Sequence, residues 1–220
     1  YSDQDRAKLR ASLGLKDEYI VGFVFRNQLR KSVPNLLDGF KLFKQKVPKA
    51  KLLLHTHWSE GWNIPQLLEE KGIDISDILT TYICHKCETY YVTPFRGQDQ
   101  NCPHCKTEKC VHTTNTGKGI SEEQLNQIYN LMDVYCHPFT SGGQEIPIQE
   151  AKLTELITLV TDYSCGEDNC TEESGGIPLK WHEYREPGTQ FIKASTDAND
   201  IFQRLCQVYE MNESERAEQG

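Results

Sequence analysis

Short apolar runs alternate along the chain with segments of helical periodicity. Residues 19–25 form a near-continuous apolar run with β-branched members, and residues 51–55 form a second, shorter one. Runs of this length are typical of strands buried on both faces of a sheet. Apolar residues recur at helical spacing over 36–43, and a second helix is predicted over 65–71, ended by Gly72. This order predicts a doubly wound α/β fold, a parallel sheet with helices on both faces.

The alternation of predicted strands and helices is interrupted over residues 84–110, which are rich in Cys, Gly, Pro and polar residues and have few apolar side chains to bury. The remaining predicted helices cover residues 3–13, 121–132, 148–156 and 197–209, and the remaining predicted strands cover residues 110–114, 133–137 and 157–161. We therefore predict an α/β domain formed by residues 1–83 and 111–211, a small insertion at 84–110, and a polar, frayed tail at 212–220.

The charge balance narrows the range of partners. Lysine and arginine total 24 against 32 aspartates and glutamates, a formal net charge of −8. Such a chain lacks the global basic field that grips nucleic acid or an anionic membrane. No apolar run approaches the roughly 18 residues needed to span a bilayer, and no charged-then-apolar leader opens the chain. Together with nine cysteines, an odd number that cannot all pair, these features predict a reducing, cytoplasmic compartment.

Four of the cysteines form two C-x-x-C pairs, Cys84 with Cys87 and Cys102 with Cys105. Each pair places two thiolates on one tight turn, and two such turns complete the tetrahedron of soft ligands that zinc prefers. The pattern predicts a zinc ribbon with a structural ion, because four thiolates leave no open position for water or substrate. A pair of disulfides and unliganded thiols are the alternatives. The ribbon is expected to stiffen the insertion or to meet a partner protein.

Two loops carry the residue types that bind a diphosphate. The first, residues 25–31, follows the first strand and contains two arginines and a lysine. Ligands of doubly wound sheets bind at this end of the strands. The second, residues 139–151, has two glycines and then Pro147 where a first helical residue belongs, which predicts an anion-accepting helix N-terminus. Glu150 lies about one turn inside that helix, within reach of ribose hydroxyls. A solvated basic loop and an ordinary glycine loop with a dipole-complementing glutamate are the alternatives.

The order of these elements resembles the C-terminal, donor-binding half of a GT-B glycosyltransferase of glycosyltransferase family 4, the group 1 glycosyltransferases. In that family an Arg and a Lys five residues later follow the first strand of this half, and Arg26 and Lys31 stand at that spacing. The family's signature loop, roughly Glu-Gly-Phe-Gly-Leu-Pro-x-x-Glu-Ala, is similar to residues 142–151, which read Gly-Gly-Gln-Glu-Ile-Pro-Ile-Gln-Glu-Ala. The resemblance covers about residues 15–83 and 111–210 and implies a Rossmann-like half of a GT-B fold.

The resemblance implies a retaining transferase that moves a sugar, of the hexosyl kind, from a UDP- or GDP-linked donor to an acceptor. Arg26 and Lys31 would hold the donor diphosphate, and Glu150 its ribose. The family glutamate that contacts the donor sugar is Gly142 here, and Glu145 offers a carboxylate three positions later. The other candidate donor-site residues, whose backbone amides would position sugar and phosphate, are Gly143, Gln144 and Ile146. The acceptor, a glycan, lipid or protein, would be bound by an N-terminal half outside these residues, so this chain alone is expected to transfer little sugar.

Three other functions stay open at this point. A GT-B relative, such as a nucleotide-sugar epimerase or a phosphorylase-like enzyme, would share the nucleotide site. A non-catalytic zinc-ribbon interaction module on an α/β scaffold would bind no nucleotide. A nucleic-acid-binding zinc protein is disfavoured by the net charge of −8 and by the near-balance of basic and acidic residues across the ribbon. Nucleotide binding that depends on Arg26 separates the enzymes from the interaction module.

Overall fold

The computed structural model describes residues 1–114, 117 and 119–219. Within them the helices are α1 (Asp3–Ser12), α2 (Val33–Lys46), α3 (Ile64–Lys71), α4 (Glu122–Asn130), α5 (Ile146–Leu153), α6 (Ala198–Glu210) and α7 (Glu213–Gln219). The strands are β1 (Tyr19–Val24), β2 (Ala50–His55), β3 (Ile78–Cys84), β4 (Tyr90–Pro94), β5 (Val111–Thr113), β6 (Val134–His137), β7 (Thr158–Thr161), β8 (Ile177–Leu179), β9 (Trp181–Arg185) and β10 (Ile192–Thr196). The chain divides into two compact units, one formed by Tyr1–Asn27 and Lys49–Met132 (unit 1), the other by Gln28–Pro48 and Asp133–Gly220 (unit 2).

Unit 1 is built on a sheet whose first three strands are parallel. β1 pairs with β2 and β2 with β3, and all six residues of β1 are buried. This is the continuous apolar run expected of a strand covered on both faces. Beyond β3 the pairing becomes antiparallel, since β4 pairs with Leu79–Ile83 of β3 and β5 with Tyr82–Cys84. The segment that carries the C-x-x-C pairs is therefore joined to the sheet through β3.

Helix α1 of unit 1 has no buried residue and is held by two arginines instead. Arg6 donates hydrogen bonds to the carbonyls of Asn130 (3.1 Å) and Met132 (2.6 Å), and Arg10 donates one to the carbonyl of Leu131 (2.6 Å). These carbonyls lie at the end of α4, where backbone oxygens lack partners within the helix. The two cationic side chains therefore satisfy that helix end and fix α1 to it.

Unit 2 has a second set of parallel strands, β6, β7 and β8, with every residue of β6 and β7 buried. Helices α2 and α6 pack against each other in this unit. At Gly39 they approach so closely that an added β-carbon would lie 2.6 Å from the Ile201 side chain. The strands β9 and β10 form a separate antiparallel pair. Both units thus combine parallel strands with helices, and the predicted α/β fold class is confirmed.

Local residue signals set the ends of three helices. Gly72 ends α3 in the left-handed conformation with a φ of 62°. Ser121 and Gln124 form a reciprocal capping box at the start of α4. Pro147 lies in the first turn of α5, where its missing N–H costs no hydrogen bond.

Other elements escaped the apolar pattern. β3 contains two threonines and runs directly into the first C-x-x-C pair, and four of the five residues of β9 are exposed. Helix α7 covers most of the tail that was expected to fray, and Arg216 ties it to α6 by donating to the Val208 carbonyl (3.0 Å). That residues 84–110 fold as a separate module stays a prediction. Among the described residues, no helix has the length and apolarity to cross a bilayer.

Candidate functional site

In unit 2, three residues from separate segments form a buried charged cluster. Lys31 lies just before α2, His137 is the last residue of β6, and Glu145 immediately precedes α5. The Lys31 ammonium pairs with one carboxylate oxygen of Glu145, and His137 Nε2 lies 3.3 Å from the same oxygen. All three side chains are buried. The cluster lies at the carboxyl end of β6, the end at which doubly wound sheets bind ligands.

Arg30 completes the cluster from the solvent side. Its guanidinium pairs with the second oxygen of Glu145 and lies 3.4 Å from the carbonyl oxygen of Ser141. The Thr140 amide donates a hydrogen bond to the Arg30 carbonyl (2.8 Å), which holds the basic loop against the loop that follows β6. Glu145 therefore bridges two adjacent cations, one buried and one partly exposed.

The charges of the cluster do not cancel. Burial by itself raises the pKa of a carboxyl group, but hydrogen bonds from His137 and Lys31 and the positive charge of Lys31 hold the pKa of Glu145 well below its usual range. Burial lowers the pKa of the Lys31 ammonium, and the Glu145 carboxylate opposes that shift. At neutral pH one anion thus faces two cations, Arg30 and Lys31. The net positive charge suits an anionic ligand.

His137 takes part in the cluster as a neutral ring. It is fully buried, and burial lowers the pKa of its imidazole to about 4. The Tyr135 hydroxyl lies 2.8 Å from Nδ1. We assign the ring proton to Nε2, which faces the Glu145 carboxylate, so that Nδ1 accepts from Tyr135. Cys136, between them in β6, points to the opposite face of the strand, as the alternation of strand side chains requires.

The glycine turn before α5 leaves room for the Glu145 carboxylate. A β-carbon at Gly142 would lie 2.6 Å from Glu145 Oε1 and 3.3 Å from Arg30 Nη1, whereas one at Gly143 would meet nothing within 4 Å. The Ser164 hydroxyl fixes the turn by donating to the Gly142 carbonyl (2.7 Å). A side chain at position 142 would therefore compete for space with the carboxylate at position 145.

We expect Gly142→Ala to lower the free energy of unfolding by about 1–3 kcal/mol, because the added methyl group overpacks against Glu145. Gly143→Ala is the matched control and should change it by less than about 1 kcal/mol, since it meets open space. Urea unfolding of both variants measures the difference. Equal effects of the two substitutions would contradict the proposed contact. Gly142→Glu alone should be poorly tolerated. The double variant with Glu145→Gly, which restores the family pattern at both positions, should be tolerated better.

The sequence-predicted donor residues are distributed as follows. Lys31, Gly142 and Glu145 come together in the cluster, and Glu150 is half-buried one turn into α5. The exposed members of the turn are Gly143, Gln144 and Ile146. Arg26 lies in unit 1, where its Nε is 3.5 Å from a Glu60 carboxylate oxygen and its side chain is 57% exposed. An exposed pair of this kind contributes little to stability, so Arg26 is available to a ligand.

Sequence reasoning assigned no role to His137 and Tyr135, and it considered Arg30 only as one of the cations of the basic loop. Arg30 belongs to the basic loop, but family spacing drew attention to its neighbours. Tyr135 and His137 stand two apart in β6 and therefore share a face of the strand. That alternation, at the carboxyl end of a buried strand, was the available signal for a polar network.

Two buried histidines predict an acid-sensitive fold. Burial lowers the pKa of both His55 and His137 to about 4 from an ordinary value of 6.5. Between these values the unfolded chain binds more protons, so stability falls as pH drops from 6.5 to 4, by roughly 3 kcal/mol per histidine. We expect His55→Gln to flatten the dependence of the urea midpoint on pH in this window. His182→Gln, at a ring that is 77% exposed, is the control, and an equal slope in wild type and His55→Gln would contradict the assignment.

In unit 1 the four cysteines of the two C-x-x-C pairs converge. The Sγ atoms of Cys84, Cys87, Cys102 and Cys105 all lie within 4.8 Å of one another. Two distances between the pairs, Cys84 to Cys105 and Cys87 to Cys102, are 3.7 Å each. Sulfur atoms bound to one zinc at about 2.3 Å lie at similar separations in a tetrahedron, so the donor set fits this ion.

The two turns have the same hydrogen-bond pattern. The amide of Glu88 donates to the Cys84 carbonyl (2.9 Å), and the amide of Lys106 donates to the Cys102 carbonyl (3.0 Å). Both Glu88 and Lys106 are left-handed, with φ of 57° and 62°. Backbone amides also donate to Cys84 Sγ and Cys102 Sγ, at 3.4 Å each. Repetition of one tight turn around each cysteine pair is the geometry of a site built to hold thiolates.

Cys110 lies beside this site without belonging to the four. Its Sγ is 3.4 Å from Cys84 Sγ, and its thiol donates to the Thr107 carbonyl (3.1 Å). The sulfur atoms that all lie within 4.8 Å of one another are those of the two C-x-x-C pairs, and Cys110 is not among them. The structure thus separates four candidate ligands from one bystander.

Comparisons with known proteins concern the fold. No protein-family model matches the chain, and no curated protein sequence matches it. Solved structures do. The C-terminal domain of the glycosyl transferase group 1 family protein LpcC from Francisella tularensis has a TM-score of 0.61 and 12% identity, over 99% of this chain and 88% of that one.

Longer proteins match through part of their length. HepE from Anabaena in complex with UDP-glucose has a TM-score of 0.63 and 13% identity, over 100% of this chain and 46% of its own. A glycosyltransferase from Rickettsia africae has a TM-score of 0.59 and 12% identity, over 100% of this chain and 45% of its own. The chain thus spans less than half of these two proteins. At such identities the likeness establishes a shared fold, the Rossmann-like half found in these glycosyltransferases.

Proposed function

We propose that this chain is the donor-binding half of a retaining glycosyltransferase, which moves a sugar from a nucleoside-diphosphate sugar to an acceptor. The observation that carries the proposal is the convergence of Arg30, Lys31 and the Gly142–Glu145 turn at the carboxyl end of β6. A positively charged cluster beside the first turn of α5 suits an anionic diphosphate. The likeness to HepE, whose structure holds UDP-glucose, supports this class of donor.

The proposed chemistry is stabilisation of the leaving group. As the bond between the anomeric carbon and the β-phosphate oxygen breaks, negative charge grows on the departing nucleoside diphosphate. Arg26 and Lys31 are proposed to neutralise that charge, and Arg30 adds a third cation. Interactions that strengthen as this charge develops lower the barrier.

The remaining donor residues are given positioning roles. Glu145 is proposed to orient Lys31 and Arg30 through its two carboxylate oxygens. Glu150 is proposed to accept hydrogen bonds from the ribose hydroxyls. Backbone amides are proposed to position sugar and phosphate at Gly142, Gly143, Gln144 and Ile146.

The cysteine cluster is proposed to bind one structural zinc ion. Four thiolates close the coordination shell, so the ion would stabilise the ribbon and take no part in the transfer. Family 4 membership, a hexosyl donor linked to UDP or GDP, and a cytoplasmic location complete the proposal. An acceptor-binding half would supply the glycan, lipid or protein acceptor, and without it this chain is expected to transfer little sugar.

Two variants test the donor assignment. Arg26→Ala should weaken UDP or GDP binding about tenfold to a hundredfold while affecting the bare nucleoside far less, because hydrogen bonds to charged groups contribute roughly 1.5–3 kcal/mol. Glu150→Gln should weaken nucleoside and nucleotide alike, since it removes a contact to the ribose. Titration calorimetry measures both.

Arg185→Ala, at an exposed arginine on β9, is the control and should leave both affinities unchanged. Equal losses of nucleoside and diphosphate binding in Arg26→Ala, with an unchanged circular dichroism spectrum, would mean that this arginine does not bind phosphate. Nucleotide binding that survives both substitutions would refute the donor assignment of Arg26 and Glu150.

A further inference from the structure

Two cations of unit 2 that are proposed to meet phosphate already hold an anion of the chain itself. One oxygen of the Glu145 carboxylate pairs with Lys31 and the other pairs with Arg30. A carboxylate held in this way makes the charge-assisted contacts that a phosphate group makes with lysine and arginine. A diphosphate that is to contact both cations must therefore compete with Glu145.

The burial of Lys31 shows which side chain has to move. Lys31 is 3% exposed, and its partners in the cluster are Glu145 and, at 3.3 Å from its Nζ atom, His137 Nε2. His137 is fully buried at the end of β6, so the sheet fixes its position. Glu145 stands outside the sheet, on the turn that leads into α5, and is the partner that can leave.

The turn that carries Glu145 has no apolar side chain to anchor it. Glu145 is the one buried residue of the segment 141–147, and the exposed residues of that segment are Gly143, Gln144 and Ile146. The Ser164 hydroxyl holds the turn further back, at the Gly142 carbonyl. Beyond that point the turn is held against the cations mainly by the ion pairs of one carboxylate.

We propose that Glu145 is an internal latch, an anion that occupies Lys31 and Arg30 in the unliganded protein and is displaced when the donor diphosphate binds. The inference rests on the proposed donor function and adds regulation to the same site. The latch stabilises the empty cluster, because Lys31 would otherwise be a buried charge without a partner. It also weakens binding, because a diphosphate must break both ion pairs. Exchange of one anion for the other keeps Lys31 paired in both states.

The test uses inorganic pyrophosphate, which reports on the phosphate contacts without a base or a ribose. Calorimetric titration at fixed ionic strength compares wild type with Glu145→Gln, which keeps the size of the side chain and removes its charge. We expect Glu145→Gln to bind pyrophosphate about tenfold to a hundredfold more tightly, because the competing anion is gone. Glu167→Gln, at an exposed glutamate of unit 2, is the matched control for the loss of one negative charge and should change the affinity by less than about twofold.

The outcomes separate the latch from the function on which it rests. Pyrophosphate binding by Glu145→Gln that is equal to or weaker than that of wild type overturns the latch and leaves the donor proposal standing. Failure of wild type and Glu145→Gln alike to bind pyrophosphate or any nucleoside diphosphate overturns both. Should Glu145→Gln not fold, a crystal structure of wild type with bound pyrophosphate decides. Phosphate oxygens must contact Lys31 and Arg30 in place of the Glu145 carboxylate, and a carboxylate still paired with both cations overturns the latch.

Discussion

Replacing Glu145 with alanine is expected to lower the free energy of unfolding by about 3–5 kcal/mol, because it leaves a buried ammonium without its counter-charge. The Lys31 side chain is 3% exposed, and the remaining neighbours are a neutral imidazole and a second cation, Arg30. In a chain of this length such a loss corresponds to a fall in melting temperature on the order of 10 °C. Differential scanning calorimetry or urea unfolding measures it.

Glu60→Ala is the matched control. Glu60 also faces an arginine, but its side chain is 38% exposed and that of Arg26 57%, so its removal should cost less than about 1 kcal/mol. The double variant Lys31→Met with Glu145→Met should recover much of the loss, since well-packed apolar residues often replace a buried ion pair without cost. A Glu145→Ala variant no less stable than Glu60→Ala would contradict the buried cluster.

Removing the metal is expected to have the second large effect. Structural zinc contributes about 10–16 kcal/mol to the folding of isolated zinc-finger peptides, so a four-thiolate site should dominate the order of its segment. Cys105→Ser should reduce the metal content from one zinc per chain to well under one. Hydrogen exchange should then rise mainly over residues 84–110, because β1 and β2 have a core of their own.

Cys110→Ser provides the sharper control for the ligand assignment. The Cys110 sulfur lies 3.4 Å from Cys84 Sγ but is not one of the four mutually close sulfur atoms, so this variant should retain one zinc. Loss of zinc in Cys110→Ser with retention in Cys105→Ser would reassign the ligands. Cooperative unfolding of the whole chain on chelation would show that residues 84–110 are not the separate module predicted.

Apolar runs and helix-end signals carried most of what sequence reasoning could establish about the fold. Residues 19–25 are almost uniformly apolar, and β1 is buried along its whole length. The apolar run was informative because a strand covered on both faces needs apolar side chains on both. β9 gave no such signal because four of its five residues are exposed, and its strand conformation comes from pairing with β10. Helix α7 has no buried residue and is set by tertiary hydrogen bonds.

The candidate sites also differ in how far local sequence signals could predict them. The cysteine pairs were found because two thiolates on one turn are a local, short-range requirement. The charged cluster was found in part, because Lys31 and Glu145 stand on recognisable motifs. Their pairing was not foreseen, since it joins residues more than a hundred positions apart in the chain and depends on the space that Gly142 leaves. Long-range contacts of this kind follow from topology, which the local pattern does not encode.

The central claim, that this chain binds the donor nucleotide, is tested most directly by calorimetric titration with UDP, GDP and ADP and with their sugars. Binding to the native protein also raises its unfolding midpoint by mass action, which gives an independent reading. We predict saturable, one-to-one binding of at least one nucleoside diphosphate and of its nucleotide sugar. Absence of binding by all of them, in folded protein with one zinc per chain, would contradict the claim.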